Sequence, residues 1–119
     1  MQWEHFKFEE FECKCCHKNE TSDVLINWLG VLRDRVGVPF IINSGYRCKR
    51  HNASKAVKGA KDSQHLIGNA ADISMVGWDD RTKYRILQGA FFIGFHGIGI
   101  GKTVIHLDIR SGEPKLWIY

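Results

Sequence analysis

Two helical stretches and several shorter strand-like ones stand out in the order of apolar and polar residues along this chain. Val24, Leu25, Trp28, Leu29, Leu32 and Val36 recur at three- and four-residue spacing, which marks one face of an amphipathic helix. Ser22 and Asp23 stand where its cap belongs, and Gly37 and Pro39 end it. A second helix is expected from the Asp79-Asp80 cap to about Ile93, with Tyr84, Leu87, Phe91 and Phe92 as its inward side chains. Ahead of both, residues 3–12 mix charges with Trp3, Phe6, Phe8 and Phe11, the composition of a short extended arm or a helical turn laid on the core.

The strand signals are shorter. Pro39-Phe40-Ile41-Ile42-Asn43 reads as a buried strand that stops at Ser44-Gly45, and Ala70 to Met75 reads as a second that carries Asp72. Thr103 to Ile109 alternates, so Ile105, Leu107 and Ile109 fill the core while Val104, His106 and Asp108 share the other face. Lys115 to Tyr119 forms a closing strand. Tyr46 to Gln64 is a long polar, basic loop, and Gly94 to Gly101 is punctuated by glycine.

At 119 residues the chain has the length of one domain, with room for a hydrophobic core that needs no disulfide. Its formal charge of +4 favours anionic partners, among them cell-wall polymer, nucleic acid and acidic lipid. No apolar run approaches the roughly 20 residues of a membrane span, so no stable membrane insertion is expected. The start, Met1 to Lys7, lacks the basic-then-apolar pattern of a secretory signal, which predicts synthesis in a cytoplasm. Cys13, Cys15, Cys16 and Cys48 leave three fates open: packed thiols, a disulfide from the cluster to Cys48, or a second, structural metal site with His17.

The chemistry concentrates in Ser63-Gln64-His65-Leu66-Ile67-Gly68-Asn69-Ala70-Ala71-Asp72 and, far along the chain, His106-Leu107-Asp108. His65, Asp72 and His106 supply two imidazoles and a carboxylate, the donor set of a catalytic zinc ion with one position left for water. Gly68 gives the backbone freedom for the reversal that brings His65 back to Asp72, and Ala70 and Ala71 leave room for close approach. The reaction this chemistry predicts is hydrolysis of an amide.

Ser63, His65, Gly68, Ala70 and Asp72 also spell SxHxxGxAxD, and the chain thereby resembles the zinc D-alanyl-D-alanine carboxypeptidases and related murein peptidases. Phe11-Glu12-Cys13-Lys14-Cys15, Ile42 to Cys48, and Val104 to Arg110 resemble segments of the small single-domain branch of that family, in the same order. The resemblance implies a single zinc peptidase domain over residues 1–119, of the α+β class shared with the Hedgehog signalling domain, a small antiparallel sheet backed by helices. It implies His65, Asp72 and His106 as zinc ligands, and Arg47, with Ser63, as contacts to a peptidoglycan peptide. Arg47 would bind substrate or steady the developing oxyanion. The bond expected to be cut is one in the peptide stem or cross-link, by a D,D-carboxypeptidase or endopeptidase, or by an L-alanyl-D-glutamate endopeptidase. Small size without a signal resembles a phage endolysin, a monomer that meets the wall after release.

Many relatives place a general base shortly before the last zinc histidine, but Gly101, Lys102, Thr103 and Val104 offer none. Asp108 is the first choice for that role and His96 the second, with an orienting carboxylate as the alternative role for Asp108. Two rival functions are weaker. Gly97 to Thr103 ends in GKT like a phosphate loop, but His96 replaces the first glycine and no helix follows. Nucleic-acid binding through Lys55, Lys58 and Lys61 would leave the His65, Asp72 and His106 set unexplained. A domain that kept its zinc and lost turnover is a third class.

Overall fold

The computed structural model describes residues 5–54, 59 and 62–119. Trp3 and the basic side chains Lys55, Lys58 and Lys61 lie outside them. Helix α1 spans Asp23–Val36, α2 Lys49–Asn52 and α3 Asp80–Ile93. Strands β1 (Ile42–Ser44), β2 (Ala70–Ser74), β3 (Gly97–Ile100), β4 (Val104–Asp108) and β5 (Lys115–Ile118) form one sheet in the order β1-β2-β4-β3-β5. The α+β class holds, and the sheet is antiparallel except at one edge, where β5 joins β3 in parallel.

Both long helices begin where their caps predict. The Ser22 hydroxyl accepts from the Val24 N–H, and the Asp79 carboxylate accepts from the Thr82 N–H at 2.8 Å. Gly37 ends α1 with φ of 84°, in the left-handed region that favours glycine. Leu25, Ile26, Leu29, Leu32 and Val36 of α1 are buried, so the inward face includes Ile26 and leaves Val24 outside.

The inward face of α3 differs from its expected one. Tyr84, Phe91 and Phe92 are exposed, while Ile86, Gly89 and Ala90 are buried and Leu87 packs at the core's margin. The reason is close approach: a Cβ on Gly89 would lie 2.7 Å from Leu32 Cδ1, so the seam between α1 and α3 is built on small residues. The displaced aromatics find other partners, as Phe92 does under the Arg35 guanidinium, 4.2 Å from its ring centroid.

The N-terminal arm packs through Phe6 and Phe11, both buried and edge to face at 5.4 Å, with Phe8 in solvent. The glycine-punctuated segment contains β3, a strand that alternation could not reveal because Gly97 and Gly99 occupy one of its faces. Gly101 to Thr103 forms the link from β3 to β4, with no helix after GKT. No helix among the described residues is long and apolar enough to cross a membrane.

Candidate metal centre

The register of the sheet explains why Asp72 meets His106. They face each other across β2 and β4, and directly opposed residues project from the same side of a sheet. The row continues through Gly99 on β3 to Trp117 on β5, and the adjacent row runs Ala70, Asp108, Gly97, Lys115. Each glycine leaves space for its neighbour: a Cβ on Gly99 would lie 2.4 Å from the Trp117 indole, and one on Gly97 would lie 2.0 Å from the Asp108 carboxylate. Trp117 thus lies beside His106, ring centroids 4.9 Å apart.

His65 arrives from the other side, on the 3₁₀ turn Gln64–Ile67. The Ser63 hydroxyl caps this turn by accepting from the His65 N–H, and Gly68 ends it at φ of 74°. The reversal expected at Gly68 is therefore present. Its left-handed backbone passes so close to Glu20 that a Cβ would lie 2.0 Å from the Glu20 carbonyl oxygen.

Hydrogen bonds set the tautomers of both histidines. His65 Nδ1–H donates to the Gly45 carbonyl at 2.6 Å, which leaves Nε2 facing Asp72 Oδ1 at 3.3 Å. His106 Nε2–H donates to Asp108 Oδ2 at 2.6 Å, which leaves Nδ1 facing the same Asp72 oxygen at 3.0 Å. In their neutral forms two imidazole lone pairs and a carboxylate oxygen converge, an arrangement a cation resolves. Tetrahedral zinc with nitrogen and oxygen ligands at about 2.1 Å sets neighbouring ligand atoms roughly 3.4 Å apart. The three residues fit that demand, with ligand atoms all within 4.8 Å of one another.

Burial alone would push the Asp72 carboxyl up. When the two rings take a proton on these nitrogens in place of a metal, hydrogen bonds from His106 and His65, and their charge, outweigh it and hold Asp72 well below the usual carboxylate range. Burial would likewise lower His106, but its bonds to Asp108 and Asp72 raise it. Arg47 Nη2–H donates to Asp72 Oδ2 at 3.0 Å, with Nε on the Ser44 hydroxyl and Nη1 on Asn52, so Asp72 offers one oxygen to the histidines and the other to Arg47.

The two candidates for the base stand elsewhere. Asp108 is wholly buried; its oxygens accept from His106, from the Arg110 backbone N–H, and from Arg110 Nε and Nη2 at 2.9 and 2.7 Å. Burial would raise its carboxyl, yet these donors hold it well below the usual range, so it has neither the lone pair nor the access that proton abstraction needs. Its surroundings are those of the orienting carboxylate, the alternative role. His96 is exposed, bonds the Gly112 carbonyl at 3.1 Å, and does not line the cleft over the metal ligands. Arg47 and Ser63 do line it, Ser63 with its hydroxyl engaged in the turn.

Composition and spacing did not single out Asp62, Arg110, Lys115, Trp117 and Tyr119, which also line this cleft. Lys115 and Trp117 could have been found from their alternation on a strand, had β3 been recognised as its partner. Gly97→Ala follows as a test of the rows: its methyl group must displace the Asp108 carboxylate. Overpacking of this kind costs about 1–3 kcal/mol, read from urea unfolding, and metal affinity measured by chelator competition should fall with it.

Two histidines and an aspartate held in this way on the face of the sheet make a site that can hold a metal ion. The model of the family described as Peptidase M15 matches residues 4–108, and the chain belongs to that family. M15 peptidases are metal-dependent, so this is a metallopeptidase. Comparison with curated proteins gives no match.

Proposed function

We propose that the protein is a zinc peptidase that hydrolyses an amide bond in the peptide stem or cross-link of peptidoglycan, as a D,D-carboxypeptidase or endopeptidase. The convergence of His65 Nε2, His106 Nδ1 and Asp72 Oδ1 at the floor of a cleft walled by cations carries this reading. Zinc, when bound, supplies Lewis acidity that makes water a nucleophile near neutral pH.

The rest falls to the chain's own side chains. Arg47, Arg110 and Lys115 give the cleft the charge to hold a peptide bearing free carboxylates, and Trp117 and Tyr119 add an apolar wall. Arg47 fixes Asp72 through Nη2, and the two N–H groups not engaged by Ser44, Asn52 and Asp72, one on each Nη, are the donors for a substrate oxygen. Asp62 is, with Asp72, one of two carboxylates lining the cleft among the described residues. It is the proton acceptor in this proposal, taking a proton on its carboxylate and returning it to the leaving amine.

Asp62→Asn should lower kcat on the order of 10²- to 10⁴-fold, the range of general acid–base catalysis, with metal content unchanged. An unaltered kcat would remove Asp62 from the role. The reading as a whole is tested by incubating zinc-loaded protein with purified muropeptides and finding new ends by mass spectrometry. Released D-alanine or separated stems are the expected products, and a new L-alanine carboxyl end would instead mark an L-alanyl-D-glutamate endopeptidase. No new ends at any pH would leave a zinc-bearing wall-binding domain. Action after release through a breached membrane, as a monomeric phage endolysin, is the setting we propose for it.

A further inference from the structure

A second group of metal-ligating side chains lies outside the cleft. The sulfurs of Cys13, Cys16 and Cys48 are within 4.8 Å of one another, and all four cysteines are free thiols. Cys13 and Cys16 are separated by two residues on a tight turn, in which the His17 N–H donates to the Cys13 carbonyl at 2.8 Å and the Cys13 N–H donates to Lys18 at 2.7 Å. His17, directly after the second cysteine, has φ of 61°, the one non-glycine residue in the left-handed region among those described. Cys48 comes from a different part of the chain, at the start of α2, so the sulfurs bridge the N-terminal arm and the loop after β1.

The surroundings suit thiolates. The Cys48 N–H points at Cys13 Sγ at 3.5 Å and the His51 N–H at Cys48 Sγ at 3.4 Å. Burial would raise the Cys13 thiol, but N–H groups of Cys48, Cys16 and Cys15 bring it down to about 7. At Cys48 the His51 N–H favours the thiolate, and burial with the neighbouring sulfurs of Cys13 and Cys16 outweighs it, so its thiol is raised. Three sulfurs gathered this closely, with two backbone N–H groups aimed at them, form a cluster that a divalent cation can hold together. Zinc–sulfur bonds of about 2.3 Å place sulfurs roughly 3.8 Å apart in a tetrahedron, an ångström or less from the present spacing.

We propose that Cys13, Cys16 and Cys48 bind a structural zinc ion, with His51 as the fourth ligand. His51 follows Cys48 by three residues on one helical turn, a spacing found in zinc sites. Its backbone N–H already reaches Cys48 Sγ at 3.4 Å, and its ring, outside the present cluster of sulfurs, would turn in to complete the set. His17, the partner named in the metal-site alternative, is exposed and paired with Glu12 at 3.0 Å. Three thiolates and one divalent ion leave a single negative charge, beside which Arg50 already stands with Nη2 on Cys15 Sγ at 3.2 Å.

The test separates the two sites by counting. Reduced full-length protein, loaded with zinc and freed of excess, should hold two ions per chain by elemental mass spectrometry, and the His65→Ala/His106→Ala variant should hold one. With cobalt in place of zinc, that variant should show sulfur-to-cobalt charge-transfer absorption, and adding Cys16→Ser and Cys48→Ser should abolish both the ion and the absorption. His51→Ala should change the cobalt spectrum, and an unchanged spectrum would remove His51 from the set. A His65→Ala/His106→Ala variant that is folded by circular dichroism and binds no metal, with four thiols reacting freely, would overturn the site. So would a Cys48 disulfide that forms in the presence of zinc.

Discussion

His65→Ala and His106→Ala should each lose the catalytic metal and with it all measurable turnover. Each removes a nitrogen that converges on Asp72 Oδ1. Loss of a residue that merely supports a ligand weakens metal binding by about 10–100-fold, and loss of a ligand should exceed that. Circular dichroism should stay close to the wild type, because the sheet's pairing does not depend on either ring. His65→Ala also leaves the Gly45 carbonyl without its donor, at a cost of about 1–3 kcal/mol where the carbonyl stays dry. Elemental analysis is the deciding measurement. Retention of the full wild-type metal content by either variant would contradict the ligand assignment.

The second large effect is expected of Asp108→Asn. Asp108 receives four donors through two oxygens, whereas an asparagine has one oxygen and turns an NH2 group toward N–H donors. Breaking a buried ion pair costs about 3–5 kcal/mol, and the outcome should lie toward the lower end because Arg110 keeps 21% of its side-chain surface and can rehydrate. Metal affinity should drop by about 10–100-fold as His106 loses the carboxylate that orients it. The pH dependence has a definite sign. Since the folded Asp108 carboxyl lies below its ordinary value of 3.8, its contribution is complete above that pH and is lost progressively as the pH falls below it. The stability gap between wild type and variant should therefore narrow in acid. If kcat alone fell, with metal affinity and unfolding unchanged, Asp108 would be the general base after all.

How far the amino-acid order revealed these features can be traced residue by residue. The caps at Ser22 and Asp79 act within a few residues of themselves, so both helix starts were legible. The alternation in β4 placed His106 and Asp108 on one face because each strand position has only two faces to choose between. For α3 the pattern misled, since large aromatics outrank Gly89 and Ala90 on any hydropathy scale, while close helix packing selects the small ones. The role of Asp108 was hidden for another reason. Its partner Arg110 is two residues away, but the space for the pair comes from Gly97 on a neighbouring strand. Asp62 was overlooked because nothing local distinguishes a loop aspartate that faces a cleft from one that faces solvent.

The order of the strands also divides the centre by stability. Asp72 and His106 stand on β2 and β4, each flanked by a strand on both sides, whereas Lys115 and Trp117 stand on the edge strand β5. Amide hydrogens on interior strands exchange through larger openings than those on an edge. Backbone amides around the metal ligands should therefore rank among the last to exchange with deuterium, and those of β5 well before them. The wall proposed to meet the substrate can thus breathe, or accept new side chains, while the metal-ligand side chains stay fixed.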